Sequence, residues 1–555
     1  MVNINKKNIF KIIGISSLIF ILMGYVLLPA IKTIITSLDS NNLELFKYYK
    51  EFFFIDVNKR AVINTILLGF ATVLVCGLIG TTLALAVNYF DFPLKKIINK
   101  VLLLPILFPG VIIVIAFIQL YGESGLITKS IEILFKLEKP PFVLTGFYGI
   151  LFVHAYTQYV YFYTNVSIAI KQIDKSIIEA AKNLGASKLK VFTSVIIPFI
   201  KPALFSSAIL TFMSGVASFS APIMIGDSFK VLTTQMLFAK SNNHIEIASV
   251  QVVLLSLISI MFLLILRYYE RKSSFHTSVK GIKITPKKIE SKILSFIYVV
   301  ILLSITIFIL LPIITIIILS FVKPGTWMIE IFPREFSLDN YIKIFTKSRA
   351  MEPFKNSFNM SVLAIIFSTV IAVPCSFLIV RGKGKIRTLI EILVMLPWVI
   401  PTSAMAINMI NFFNKRNLFS FNKVLVGSYI ILPIAYAITI LPIILRSTNI
   451  SLYSLNENYE EASRSLGASY IITFRRITIP LILPGIIYGV GLGFIKSIGE
   501  YNLSTYLYSV KNKPISIAMV NGVFEYDLGL AMAYGVLVIL MIGLLSLLKF
   551  NRFKI

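Results

Sequence analysis

Long apolar runs separated by short polar loops set the pattern of this chain. A helix needs about 20 residues to cross the hydrocarbon core of a bilayer. Twelve runs qualify, at roughly 10–36, 62–90, 98–121, 142–170, 202–226, 247–268, 293–322, 356–381, 387–413, 424–446, 484–509 and 528–549. Several are rich in Val, Ile and Phe, as buried strands are. Their length decides for helix, because lipid leaves an open sheet edge without hydrogen-bond partners. The expected fold is an all-α integral membrane protein with about twelve transmembrane helices.

The pattern repeats. Glu179-Ala-Ala-Lys-Asn-Leu-Gly-Ala-Ser187 runs on to Pro198 and Pro202. Glu461-Ala-Ser-Arg-Ser-Leu-Gly-Ala-Ser469 runs on to Pro480 and Pro484. The two align without a gap over 26 residues at an offset of 282, with 11 identities. Asn64-Thr65 and Asn356-Ser357 open spans two and eight, and Pro105/Pro109 and Pro397/Pro401 interrupt spans three and nine, all at an offset of 292. The loop between spans three and four is where the second half is expected to have lost about ten residues. The proline pairs predict broken or kinked helices. Six spans separate the loop copies, so the halves are parallel repeats of six helices each. The expected domains are 1–268 and 293–555, joined by a polar linker at 269–292.

Charge gives the orientation. Lys95, Lys96, Lys100, Lys171, Lys175, Lys182, Lys188 and Lys190 lie on the same side as Arg381, Lys383, Lys385, Arg387, Arg464, Arg475 and Arg476. The segment from Arg267 to Lys292 adds eight basic residues. The opposite loops hold more acids, among them Glu44, Glu51 and Asp56. The positive-inside rule places both repeated loops and both termini in the cytoplasm. Composition agrees with a membrane protein. Hydrophobic residues make up 57% of the 555, charged residues 14%, and mean hydropathy is +0.86. Soluble proteins carry about 25% charged residues. The formal charge of +28 sits mostly in short loops, where it sets topology, and forms no separable face for nucleic acid. Cys76 and Cys375 lie inside apolar runs, and His154, His244 and His276 are far apart in sequence, so neither a disulfide framework nor a metal site is indicated. The N-terminal basic and apolar stretch is too long for a signal peptide and reads as the first span.

Each repeated loop reads as two short helices around a glycine. Ile177 to Leu184 forms the first, with Asp174 as N-cap. Gly185 stands where a helix stop wants positive φ. Ser187 caps a second helix, ended by Pro198. Leu466, Gly467, Ser469 and Pro480 repeat this. Leu189, Phe192 and Val195, matched by Ile471, Phe474 and Ile477, make one apolar stripe.

Glu-Ala-Ala-x3-Gly followed by Ile-Pro resembles the signature loop of permease subunits of binding-protein-dependent, type I ABC importers. Ser463 replaces the second Ala in the second copy. The resemblance covers both halves. It implies that the loop, through Glu179, Ala180, Gly185, Ser187 and Pro198 and through Glu461, Ala462, Gly467, Ser469 and Pro480, is a coupling helix docking into a separate ATPase. The chain has no G-x-x-x-x-G-K-[ST] loop to hold ATP. The implied partners are two copies of an ABC ATPase subunit, an extracytoplasmic binding protein and the lipid bilayer. The chain itself is expected to be a transport subunit without catalytic residues or bound cofactor, ATP being used by the partner. The implied location is a bacterial inner membrane.

Ionisable residues inside a membrane are functional candidates. Glu500, in Ser497-Ile-Gly-Glu-Tyr501 of span eleven, aligns with Ser218 of span five. The resemblance implies that these stretches line the translocation path, which makes Ser218, Phe219, Glu500 and Tyr501 the candidate path residues. A contact of Glu500 with Lys496 is the plainer alternative. His154 and Tyr156, Tyr159, Tyr161 and Tyr163 of span four read first as aromatic belt and packing. The fused halves and Ser218-Phe-Ser-Ala-Pro-Ile-Met-Ile-Gly226 look most like the ferric-iron permease group. Thiamine, 2-aminoethylphosphonate, sugar-phosphate and polyamine permeases are the alternatives within the class. An ion-coupled secondary transporter, or a membrane scaffold, is the alternative outside it.

Overall fold

The computed structural model describes residues 6–38, 44–272, 286–326 and 332–547. The middle of the expected linker and the outermost termini lie outside these residues. Among the described residues regular structure is almost wholly helical. The single strand pair joins Phe90–Asp91 to Lys287–Lys288 in parallel, so the described end of the linker is tied to the end of span two.

Every expected span coincides with a helix or a broken helix. Among the described residues ten helices are long and apolar enough to cross a membrane, and an eleventh counts if the pair Lys385–Val399 and Thr402–Phe413, bent by 111°, is one span. The remaining expected span, the fourth, is the 27-residue helix Gly146–Gln172. It falls outside that set because His154, Gln158, Asn165 and five tyrosines lower its mean hydropathy. The proline pairs mark real breaks. Span nine bends between Pro397 and Pro401, and span three divides into Lys95–Val101, a 3-10 turn at Leu104–Leu107 and Gly110–Tyr121. After span three the first half carries the helix Leu126–Leu134, where the second has only the turn Leu418–Ser420. This is the stretch in which the repeat offset changes.

The described chain forms two compact units. One comprises Met1–Phe52, Met236–Val253 and Ser337–Ile555; the other comprises Phe53–Gln235 and Leu254–Phe336. They cut across the sequence halves: span one belongs with the second half's helices and span seven with the first's.

In the unit built on Phe53–Gln235, spans two and four pack along their length and span five packs on both. Close approach depends on small residues, as is usual where lipid removes the hydrophobic drive between helices. A Cβ added at Gly80 would lie 2.4 Å from the Tyr159 carbonyl oxygen. Span seven joins through Tyr156, whose hydroxyl donates to the Ile309 carbonyl at 2.7 Å. The rings of Phe117, Tyr121, Phe152, Tyr156 and Phe308 pack edge to face or tilted, the arrangements aromatic quadrupoles favour. Tyr156, Tyr159 and Tyr163 are buried, so these tyrosines are core packing and not an interfacial belt.

In the other unit span ten is central, packed on spans eight and eleven. Gly485, Gly489 and Gly493 form a small-residue stripe on span eleven. A Cβ at Gly489 would sit 3.0 Å from Ile444 Cα. Span one and span six meet the second arm of span nine through Asn411, whose amide donates to Thr33 Oγ1 at 3.0 Å and Ser249 Oγ at 2.9 Å. A half-buried amide satisfied twice in this way ties three helices together at one point.

Candidate functional site

The repeated loops adopt one conformation twice. The first arms are Lys175–Asn183 and Asn458–Ser465. Asp174 caps the first of these, accepting from the Ser176 amide at 2.9 Å. Gly185 and Gly467 stand at φ +80° and +82°. Gly185 N–H donates to the Lys182 carbonyl and Ala186 N–H to that of Ala181; Gly467 and Ala468 repeat both bonds with Arg464 and Ser463. This paired closure satisfies the last carbonyls of each arm and needs the left-handed residue that glycine supplies without strain. Ser187 and Ser469 then cap the second arms, accepting from Lys190 N–H and Ile472 N–H.

The second arm departs from expectation. Pro198 and Pro480 do not end it. Helix runs on from Lys188 to Val216 and from Tyr470 to Ile498, 29 residues each, so the arm and span five (or eleven) are one rod. A π-helical turn at Phe192–Ile196, and at Phe474–Thr478, precedes each proline. The wide turn opens the hydrogen-bond ladder where proline brings no N–H and where its ring would press on the carbonyl four residues back. Span one does the same at Met23–Leu27, ahead of Pro29.

The apolar stripe divides. Phe192 packs towards the core, and Phe474 lies against Phe377 with ring centroids 4.9 Å apart. Leu189 and Ile471 remain exposed. Leu184 and Leu466, beside the glycines, are 88% and 89% exposed. Glu179, Ala180, Glu461 and Ala462 are also on the surface, Glu179 pairing with Lys175 at 3.1 Å. The loops differ in how they are tied down. Ile178 anchors the first by apolar packing. In the second, Arg381 at the end of span eight donates to Glu457 at 2.5 Å and to the Leu455 carbonyl at 3.1 Å, and Glu460 accepts from Thr478 at 2.9 Å. Ser463, the departure from Ala, is buried against Thr473 Oγ1 at 2.9 Å; the equivalent positions of the first copy are Ala181 and Val191. The exchange is thus matched across the loop. Arg381→Ala is expected to raise the rate of proteolysis within 457–469 by about two- to fivefold, as loss of a half-exposed ion pair allows; limited digestion of the purified chain reads it.

At its far end each rod breaks. Span five stops at Val216 and resumes as the short helix Ser220–Ile225; span eleven stops at Ile498 and resumes as Asn502–Leu507. Ser218, Phe219, Glu500 and Tyr501 lie in or beside these breaks and not in unbroken helix. Phe219 and Tyr501 are buried. Glu500 Oε1 accepts from Leu503 N–H at 3.0 Å, so the carboxylate caps the short helix that follows it. Glu500→Gln keeps an acceptor there and is expected to retain uptake within about threefold. Glu500→Ala removes the cap and is expected to slow uptake about fivefold, from the roughly 1 kcal/mol a cap is worth; equal rates for the two variants contradict the capping role.

After the break the chain turns back into Leu232–Ser241 or Ile515–Phe524. Here the Asn-Thr and Asn-Ser pairs find their use. Thr65 Oγ1 accepts from Leu232 N–H at 2.9 Å and Asn64 donates to the Lys230 carbonyl at 2.9 Å. Ser357 Oγ accepts from Ile515 N–H at 2.8 Å and Asn356 donates to the Lys513 carbonyl at 3.2 Å. In both halves the second-type span, span two or span eight, caps the helix beyond the break.

Comparison with known proteins agrees with this duplicated architecture. Residues 77–274 and 364–550 each match the family described as binding-protein-dependent transport system inner membrane component. The chain is 28% identical to a probable ABC transporter permease protein of Sinorhizobium fredii, over 97% of both chains. It is 24% identical to the ferric transport system permease protein FbpB of Actinobacillus pleuropneumoniae, over 84% of this chain and 68% of that one. It is 30% identical to a putative 2-aminoethylphosphonate transport system permease protein of Salmonella typhi, over 33% of this chain and 63% of that one.

Proposed function

The chain belongs to the family of binding-protein-dependent transport system inner membrane components, and from that premise we propose that its two loops face the cytoplasm and each receive one ABC ATPase subunit. The observation that carries this reading is the rod. An exposed, glycine-closed loop forms one end of a continuous 29-residue helix, and the break of the fifth-type span forms the other. At 1.5 Å per residue such a helix is about 43 Å long. A displacement imposed on the loop is carried along it, because helix continues through the π turn and the prolines. Closing of an ATPase pair on the two loops therefore moves both breaks, and a delivered solute meets alternating access. Binding and hydrolysis drive the cycle only if the two states differ in their affinity for ATP and for solute.

Ferric iron is the first cargo to test. The ferric permease relative matches most of this chain, whereas the phosphonate relative matches a third of it. Among the described residues no group of three His, Cys, Asp or Glu is gathered to hold a metal ion. In this reading selection rests with an extracytoplasmic binding protein and the permease passes what it is given. Proteoliposomes holding the chain with its ABC ATPase, supplied with binding protein loaded with iron-55 or with labelled 2-aminoethylphosphonate, decide the cargo. Accumulation of iron alone supports the ferric reading; accumulation of the phosphonate alone replaces it.

A further inference from the structure

Each half holds its broken span from the same position in the repeat, with a different side chain. His154 of span four and Tyr436 of span ten stand 282 residues apart, the offset that also relates Ser218 to Glu500. His154 is 2% exposed. Its Nδ1 lies 2.9 Å from Thr72 Oγ1 of span two, and its Nε2 lies 2.8 Å from Ser218 Oγ in the break. The Thr72 hydroxyl donates to the Leu68 carbonyl at 2.6 Å, so it accepts from the imidazole. That places the proton on Nδ1 and leaves Nε2 to accept from the Ser218 hydroxyl. The Ser218 carbonyl, freed by the end of the helix, accepts from Thr233 Oγ1 at 2.6 Å.

In the other half the Tyr436 hydroxyl lies 2.6 Å from Ser504 Oγ. Ser504 donates to the Glu500 carbonyl at 2.6 Å, so the phenol donates to Ser504. Ser516, the counterpart of Thr233, also donates to that carbonyl at 2.8 Å. The carbonyl at the break is thus held in both halves. The link back to the second-type span differs, because Ala364 stands where Thr72 does and has no polar group.

We propose that His154 is a positioning residue of the transport cycle: it latches the break of span five to span two. The rod that begins at the repeated loop cannot turn at its far end without parting the Ser218–Nε2 bond. Tyr436 reaches its break through Ser504 and has no counterpart of Thr72 behind it, so the two halves are latched by different contacts. The role in transport rests on the permease reading above; the latch itself does not.

Thiol labelling tests the latch without ATPase or cargo, so its failure is separate from failure of that reading. The reporter is Ala217→Cys, one residue from Ser218, in the full chain with Cys76→Ala and Cys375→Ala, reconstituted in liposomes. His154→Phe is expected to raise the maleimide labelling rate about tenfold, the effect of losing one buried hydrogen bond. Ser218→Ala is expected to do the same, and the double variant no more than either. An unchanged rate, or effects that multiply in the double variant, overturns the proposal. If His154→Phe does not give a monodisperse protein, Ser218→Ala decides alone, an unchanged rate again being fatal. In the assembled transporter both variants are expected to raise ATP hydrolysed per solute moved about tenfold while ATPase binding is kept, a split that a purely structural defect does not produce.

Discussion

Gly185→Pro or Gly467→Pro is expected to abolish uptake, lowering it by at least about a hundredfold, while the chain still inserts in the membrane. Both glycines sit near φ +80°, and proline fixes φ near −65°, so the turn between the two arms cannot form. Both positions also use their N–H in the paired closure of the first arm, which proline lacks. Gly→Ala at the same places gives the graded control. Nothing lies within 4 Å of a Cβ at either position, so alanine brings only the cost of left-handed backbone, about 1 kcal/mol, and a loss of about fivefold at most. The damage should appear as failure to bind the ATPase, read by co-purification. Normal uptake by either proline variant removes the loops from the coupling path.

Cutting the rod is expected to have the second largest effect. Two glycines inserted between Ser194 and Val195 lie in the π turn and turn the distal helix by about 200° relative to the loop. The loop keeps its own caps and closure, so ATPase binding should persist within about twofold. Uptake should fall about a hundredfold, because the loop no longer sets the position of Ser218. The same insertion between Arg476 and Ile477 should act likewise on Glu500. The pair of measurements separates docking from transmission. Loss of both binding and uptake argues that the loop and span five fold as one unit; retention of both contradicts a mechanical rod.

Much of this was legible in the chain because short-range rules govern it. Asp174, Ser187 and Ser469 act as caps, and Gly185 and Gly467 take left-handed backbone, because a helix end leaves the same orphan groups wherever it occurs. The proline pairs of spans three and nine break their helices for the same local reason. Pro198 and Pro480 obey a subtler rule. A π turn absorbs the missing donor, and sequence alone does not distinguish a proline that ends a helix from one that follows such a turn. The break at Ser218 carries no clear signal either: Ala217-Ser-Phe219 has no glycine or proline, and its geometry is held from outside by Thr233 and His154, whereas Gly499 marks the break at Glu500. Ties across long separations, such as Arg381 to Glu457, His154 to Thr72 and Asn411 to Thr33, are tertiary and leave no local mark. The same holds for the exchange of spans one and seven between the compact units. Asn64-Thr65 and Asn356-Ser357 lie between these cases. Their repetition marked them, but only the fold shows that they cap the helix beyond the break.

The energy source of uptake tests the central claim most directly. Proteoliposomes containing the chain and its ABC ATPase are loaded with ATP on the loop side and offered solute-charged binding protein on the other, with and without an imposed proton or sodium gradient. The account predicts uptake that requires ATP and binding protein, is indifferent to the gradient and disappears with Gly467→Pro. Uptake driven by the gradient without ATP, and insensitive to Gly467→Pro, contradicts it.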